Sequence, residues 1–259
     1  VGDVTFQHSG ILAVAGVTNG EIRGNISPLP NNTDKDKTPA IYGKLGYDNT
    51  FGDNFRFRLT GSVYTQSKSP RNPLFFGART GSHYSMVMEP EFVLNRGAST
   101  PSSSSTSSQA WSGRLNPNFS DHLTAFQFAT FVDLGLGSVG NLELFGMYEM
   151  GSGNNSEETD ANPDREFSQI GVDLIYRIGK KKDVYVGGRL NMVTLDQSFG
   201  SQVIETNHQR IAIAAGWYLL DFVMLKGEYV MQTYDDYPAP DYRFNGMFSG
   251  AVFEAVVGF

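Results

Sequence analysis

Along most of the chain, apolar and polar side chains alternate at every second position, in runs of roughly ten residues. The clearest run is Phe55–Gln66, where Phe55, Phe57, Leu59, Gly61 and Val63 fall on one side and Arg56, Arg58, Thr60, Ser62, Tyr64 and Gln66 on the other. A period of two is that of an extended strand with two unlike faces. Arginine is costly in hydrocarbon, so the side opposite Arg56 and Arg58 is the one fit for lipid or a core. The pattern recurs in Pro39–Asp48, where Ile41, Gly43, Leu45 and Tyr47 oppose Tyr42, Lys44, Gly46 and Asp48. It recurs again in Asp121–Leu134, Asn141–Met150, Glu166–Ile178, Val184–Thr194, His208–Leu219, Phe222–Thr233 and Phe248–Phe259. Ile11–Arg23 begins apolar and turns polar, and Val1–Gly10 reads as the end of a strand. The sum is about ten strands, each long enough to cross a bilayer at a tilt.

The connections alternate in length. Short turns are expected at Asn49–Asn54, Gly135–Gly140, Gly179–Asp183 and Leu220-Asp221. Longer loops are expected at Gly24–Thr38, Ser67–Ser120, Gly151–Arg165, Leu195–Asn207 and Tyr234–Met247. All the short turns fall at one end of the strands and all the long loops at the other, the layout of an outer-membrane barrel with short periplasmic turns. The fold class expected is therefore all-β: an antiparallel transmembrane β-barrel forming one domain over residues 1–259, either closed by about ten strands or the C-terminal part of a larger barrel of about sixteen. The abrupt entry into strand-like sequence at Val1-Gly2-Asp3, which has neither a basic region nor an apolar core of a signal peptide, leads to the expectation of a removed leader or a longer protein.

Composition narrows the function. With 20 Lys and Arg against 27 Asp and Glu, the net charge of −7 does not favour nucleic acid as a partner. The absence of Cys excludes disulfides, zinc–thiolate sites and thiol nucleophiles. No apolar run approaches the roughly 18 residues of a transmembrane helix. The glycines of Gly135–Gly140 precede no helix and do not form a phosphate loop.

The main candidate chemistry is charge on the face opposite the apolar one. The expected pore-lining residues are Lys44, Arg56, Arg58, Asp133, Glu143, Glu149, Asp173, Arg177, Arg189, Arg210, Lys226, Glu228 and Glu254, with Asp48 beside them. Charged rings in a water-filled channel select solutes by charge and size; the other reading is that these groups pair across strands in a plugged barrel. Lys44, Arg56 and Arg58 are expected to form one basic patch, and Asp133, Glu143 and Glu149 one acidic cluster around the Gly135–Gly140 hairpin. The insertion Ser67–Ser120, with Tyr84–Glu89 and the serine-rich run Ser99–Ser108, is either a constriction loop or a solvated surface loop. The acids Glu157, Glu158, Asp160, Asp164 and Glu166 are either a solvated loop or a divalent-cation bridge to lipopolysaccharide. His8-Ser9 does not suit a hydrolase pair, because neighbours on a strand point to opposite faces. His83, His122 and His208 lack metal-ligand spacing, so neither a metal nor a cofactor is expected.

The terminal AVFEAVVGF, the arginine-bearing FRFRLTGSVYTQ, the segment VYVGGRLNMVTL and the pair WYLLDFVMLKGEYV together resemble the hairpins of Gram-negative outer-membrane porins, most nearly the phosphate-selective porin O/P-like group. The resemblance covers most of the chain in pattern. It implies a non-enzymatic, passive diffusion channel for small hydrophilic or charged solutes in the outer membrane of a Gram-negative bacterium. It further implies lumen arginines and lysines that attract anions, a terminal strand recognised by the barrel assembly machinery, and contact with outer-membrane lipid and lipopolysaccharide. A homotrimer or a partner outer-membrane protein is the expected assembly. The alternative is an accessory barrel that scaffolds a partner without transport.

If the chain belongs to a transmembrane barrel, the folded protein will run faster on a denaturing gel than the boiled protein. A soluble monomer obtained without detergent would reject the barrel.

Overall fold

Among the described residues, eleven strands follow from the alternation: β1 (Gly2–His8), β2 (Ile11–Thr18), β3 (Ala40–Phe51), β4 (Phe55–Gln66), β5 (Leu123–Gly135), β6 (Gly140–Asn154), β7 (Asp164–Ile178), β8 (Val184–Phe199), β9 (Gln202–Leu220), β10 (Val223–Asp235) and β11 (Gly246–Val257). They form one sheet in chain order, each strand antiparallel to the next. The computed structural model describes residues 2–19, 38–69, 72, 119, 122–154, 164–199, 202–239 and 244–258. Phe259 and the polar segment 20–37 lie outside them. Among the described residues β1 and β11 each have one hydrogen-bonded neighbour, so the sheet is open between them.

The register sorts every strand onto the same two faces. One carries Leu45, Leu59, Phe128, Ile170, Leu174, Met192, Ile213 and Phe253, all well exposed; Phe253 is 85% accessible. The other face holds the buried strand residues, among them Gln66, Leu123, Phe167, Leu195, Ala212 and Val230. Side chains that shield one another on one face and spread apart on the other mark a curved sheet whose apolar side is outermost. This reverses the arrangement of a water-soluble sheet, which buries its apolar face.

The apolar belt ends at a defined level. Moving away from the short turns, the first polar residues on the apolar face are Thr65 on β4, Thr124 on β5, Ser152 on β6, Ser168 on β7, Thr194 on β8, Gln209 on β9, Thr233 on β10 and Ser249 on β11. Thr65, Thr124 and Ser152 are in one hydrogen-bonded row, whereas Ser168, Gln209 and Ser249 lie progressively further down the register. The drop is three side-chain pairs, or six residues, over seven strand steps. With a rise of about 3.3 Å per residue and about 4.8 Å between strands, a level boundary then needs strands tilted by roughly 30°. Thr130 and Asn49 are polar exceptions within the belt; the Thr130 hydroxyl donates to Arg58 O at 3.2 Å and the Asn49 amide donates to Tyr47 OH at 3.0 Å.

The structure corrects several expected boundaries. Val1–Gly10 contributes a full strand, making eleven rather than about ten. Leu195–Asn207, read as a loop, is mostly strand, since β8 continues to Phe199 and β9 begins at Gln202. Polar Asp196 and Glu205 on its outer side hid the alternation; they lie beyond the apolar belt, where an outward polar residue costs nothing, while Leu195 and Thr206 are buried behind them. The same effect shortened the expected β6 and β7, which extend to Asn154 and start at Asp164. Phe222 belongs to the turn before β10, not to the strand.

At the long-loop end the buried face closes into two small clusters. Phe119, Leu123, Phe167 and Leu195 pack together against Tyr64 and Val193, and Tyr234 packs with Tyr237 against Phe248. Both stems of the long insertion are anchored there. Asn72 N donates to Phe119 O at 2.7 Å, and the Asn72 amide donates to Gln66 Oε1 at 2.8 Å and Tyr64 OH at 3.1 Å.

The turn between β5 and β6 tests the backbone. Gly137 and Gly140 both have positive φ, 64° and 146°, but a Cβ at Gly137 meets open space and one at Gly140 lands on the Arg177 carbonyl. In urea titrations of the lipid-reconstituted protein, Gly137→Ala should cost about 1–2 kcal/mol for the left-handed backbone. Gly140→Ala should cost a further 1–3 kcal/mol or so for overpacking.

Candidate functional site: the charged face of the sheet

Alternation alone decides which side chains can meet on this face. In the observed register all thirteen expected residues, and Asp48, share it. The pairing within it is specific. Arg56 forks onto Asp48, with Nε to Oδ1 at 2.9 Å and Nη2 to Oδ2 at 2.7 Å. Arg189 forks onto Asp173 at 2.6 and 2.8 Å. Arg177 Nε donates to Glu143 Oε1 at 2.6 Å. Lys226 lies 3.0 Å from Glu228 Oε2 and 3.7 Å from Glu254 Oε2. Each of these joins residues on neighbouring strands or two apart on one strand, the distances at which side chains on one face of a sheet reach each other.

The remaining charges are held differently. Arg58 stands over the Phe131 ring, 5.3 Å from its centroid, and Arg56 approaches the same ring at 5.9 Å. Among the described residues no carboxylate pairs with Lys44 or Arg58. Glu149 accepts from two amides, Gln127 Nε2 at 3.3 Å and Gln169 Nε2 at 2.7 Å, in place of a cation. Asp133 and Glu143 are directly opposed in register, and both accept from the Asn141 amide, at 2.6 and 3.4 Å. Arg210 is opposite Asn191 and Gln232.

Two expected groupings are therefore corrected. Lys44, Arg56 and Arg58 are not one basic patch: Asp48 lies directly opposite Arg58 and neutralises Arg56, and Lys44 pairs with Ser62 further along the strands. Asp133 and Glu143 do adjoin, but Glu149 is three inward positions further along β6 and belongs to the glutamine pair. Strand adjacency places residues on neighbouring strands, and only the register fixes their level.

Sequence reasoning missed Arg165, Asn141 and Phe131. Arg165 is 2% exposed on the same face, hidden because its segment read as an acidic loop. Asn141 and Phe131 carry no charge, yet their positions have the same parity as Glu143 and Asp133, which is the signal that finds them.

The other candidates separate. His208 is buried, its Nε2 2.8 Å from Tyr237 OH, with its ring edge-on to Tyr234 and Tyr237. His8 ends β1 and Ser9 is in the following turn with φ 49°. His122 is exposed. Asp164 accepts from Asn154 at 2.8 Å and Glu166 projects from the outer face of β7. Among the described residues no group of His, Asp and Glu suits a metal ion. His83, Tyr84–Glu89, the serine run, Glu157, Glu158 and Asp160 lie outside the described residues.

No protein-family model and no curated protein matches the chain. Among solved structures, it is similar to the in-vitro folded OmpT, an outer membrane protein of Vibrio cholerae, at 10% identity and a TM-score of 0.49, covering 98% of this chain and 62% of that one. It is also similar to a loop L8 deletion mutant of the same protein, at 10% identity and a TM-score of 0.48, covering 98% and 61%. The chain thus spans about three fifths of the length of the structures it matches.

The ion pairs differ in shielding. The Arg177 and Glu143 side chains are 26% and 20% exposed, whereas Arg189 of the Asp173 pair is 56% exposed. A double-mutant cycle of Arg177→Gln with Glu143→Gln, read by urea unfolding, should give a coupling of roughly 1–3 kcal/mol. The Arg189–Asp173 cycle should give less than about 1 kcal/mol.

Proposed function

We propose that the chain forms the wall of an outer-membrane diffusion channel in a Gram-negative bacterium, with the charged face turned to a water-filled lumen. The observation that carries this reading is the division of the sheet: an apolar belt ending at one level outside, and full charges on the opposite face. A face with this many ionised groups needs water beside it, and an exposed apolar belt of this extent needs lipid. Between them, only a barrel wall satisfies both while keeping every backbone group hydrogen-bonded. The residues have no covalent work to do in this reading; passage is passive, for small hydrophilic solutes.

The charge pattern points away from the strong anion attraction that the porin O/P resemblance implies. Of the fourteen expected charges on this face, seven are basic and seven acidic, and several are neutralised in pairs. Selectivity then comes from the groups outside these ion pairs, Lys44 and Arg58 against Asp133 and Glu149. A unit charge about 10 Å from a passing ion in water is worth about 0.4 kcal/mol, roughly a twofold change in permeability ratio.

Conductance steps in planar bilayers are expected at low ionic strength, and a protein that inserts without conducting would reject the channel in favour of a scaffold. In the same assay Arg58→Gln should shift the reversal potential toward cations by about that twofold ratio. Removing Asp48 and Arg56 together, as Asp48→Asn with Arg56→Gln, should leave it unchanged.

A further inference from the structure

The charged face holds a groove that selectivity by charge does not use. It has a volume of about 330 Å³ and lies along β9, between β8 and β10. Its floor is made by Ala212 and Ala214, which sit opposite Arg189 and Gly187 on β8 and opposite Val230 and Glu228 on β10. At the short-turn end the Tyr185 ring lies across Gly216, so closely that a side chain there would collide with it. Tyr218 stands beside Tyr185, with ring centroids 6.4 Å apart. The groove is thus a trough closed at one end by aromatic rings and walled by charged strands.

The walls offer an unusual combination of groups. Arg189 is committed to Asp173 through Nε and Nη2, which leaves its Nη1 donors uncommitted along one side. Glu228 meets Lys226 through Oε2, which leaves Oε1 as an acceptor along the other. Every cation on the walls already has its carboxylate, so an anionic guest must break a pair to gain one, and the one acid in excess, of the two that share Lys226, is held against that ammonium. A hydroxyl group both donates and accepts, and it can use the leftover edges of both pairs without breaking either. The tyrosine rings and the alanine floor suit the C–H faces of such a guest. The volume falls at the lower end of the range for small-molecule sites.

We propose that this groove is a binding subsite for a neutral, polyhydroxylated solute of small-saccharide size. The proposal rests on the channel reading for its access from water, and the test separates the two. Equilibrium dialysis of labelled sucrose against the full-length chain in detergent should show saturable binding. Ala214→Leu, which fills the floor and leaves every member of the ion pairs in place, should weaken it at least tenfold. Arg189→Gln, which leaves Asp173 without its partner, should weaken sucrose binding and let a monovalent organic cation such as choline compete. Citrate and inorganic phosphate should not compete with sucrose in the unaltered protein. Heat-modifiable migration checks that each variant is folded, and if Ala214→Leu does not fold, Arg189→Gln and the competition series still decide. Absence of saturable binding, binding indifferent to both substitutions, or displacement by citrate would overturn the subsite. Conductance measured on the same preparation tells the failures apart: conduction without sucrose binding removes the subsite and leaves the channel, whereas binding without conduction removes the channel and leaves the subsite.

Discussion

Backbone hydrogen bonding in an apolar medium governs the rest of this structure. In hydrocarbon an unpaired amide or carbonyl costs several kcal/mol, and water is not there to relieve it. Strands in strict chain order, each antiparallel to the last, satisfy every interior strand with the shortest connections. Once that ladder is fixed, the two faces follow, because side chains alternate with no freedom to choose. The single drop of six residues across the sheet then sets the strand tilt and the height at which the apolar belt stops. Position and chemistry are coupled so tightly that shifting one strand by one residue would put arginines into lipid and leucines into water.

The charged face shows what such a sheet does with ionised groups that cannot be avoided. Side chains two apart on a strand, or across one ladder, are within reach of one another, and the sequence fills those positions with opposite charges. Arg56 with Asp48, Arg177 with Glu143, Arg189 with Asp173 and Lys226 with Glu228 and Glu254 are all of this kind. Where a group makes no ion pair, a substitute is present: Phe131 under Arg58, two glutamines on Glu149, Asn141 on Asp133. On the channel reading these substitutes keep a net charge facing the water while holding the side chain against the wall. The pairs keep dipoles there instead, and the groove along β9 lies where dipoles dominate.

Most of the fold was legible because period two is a local property of the chain. Phe55–Gln66 and Val184–Thr194 declare their faces without knowledge of any neighbour, and the shared face of the thirteen expected charged residues followed from such alternation. Legibility failed where the outside medium changes. Asp196 and Glu205 are outward residues of ordinary strands, but they lie beyond the apolar belt, so polarity on that side carries no information about extension. The pairing of charges was not legible at all. It depends on register between strands, and register is set by turn lengths and cross-strand packing rather than by either strand alone. That is why Arg58 and Lys44, similar in sequence to Arg56, differ from it in the structure.

The two sheet edges carry the same argument further. An edge exposed to lipid would leave a row of amides and carbonyls unpaired, so β1 and β11 cannot both stand free in a membrane. Eleven antiparallel strands in succession leave β1 and β11 running in the same direction. Direct closure would therefore need a parallel pair between them, and a second copy in the same orientation would present the same parallel contact at each junction. Closure by antiparallel pairs alone requires an odd number of further strands between the two edges. The total is then even, as in bacterial single-chain barrels. A strand added beside β11 would meet Glu254 on the inward side and Phe253, at 85% exposure, on the outward side, so its inward positions would have to suit charge and its outward ones continue the apolar belt.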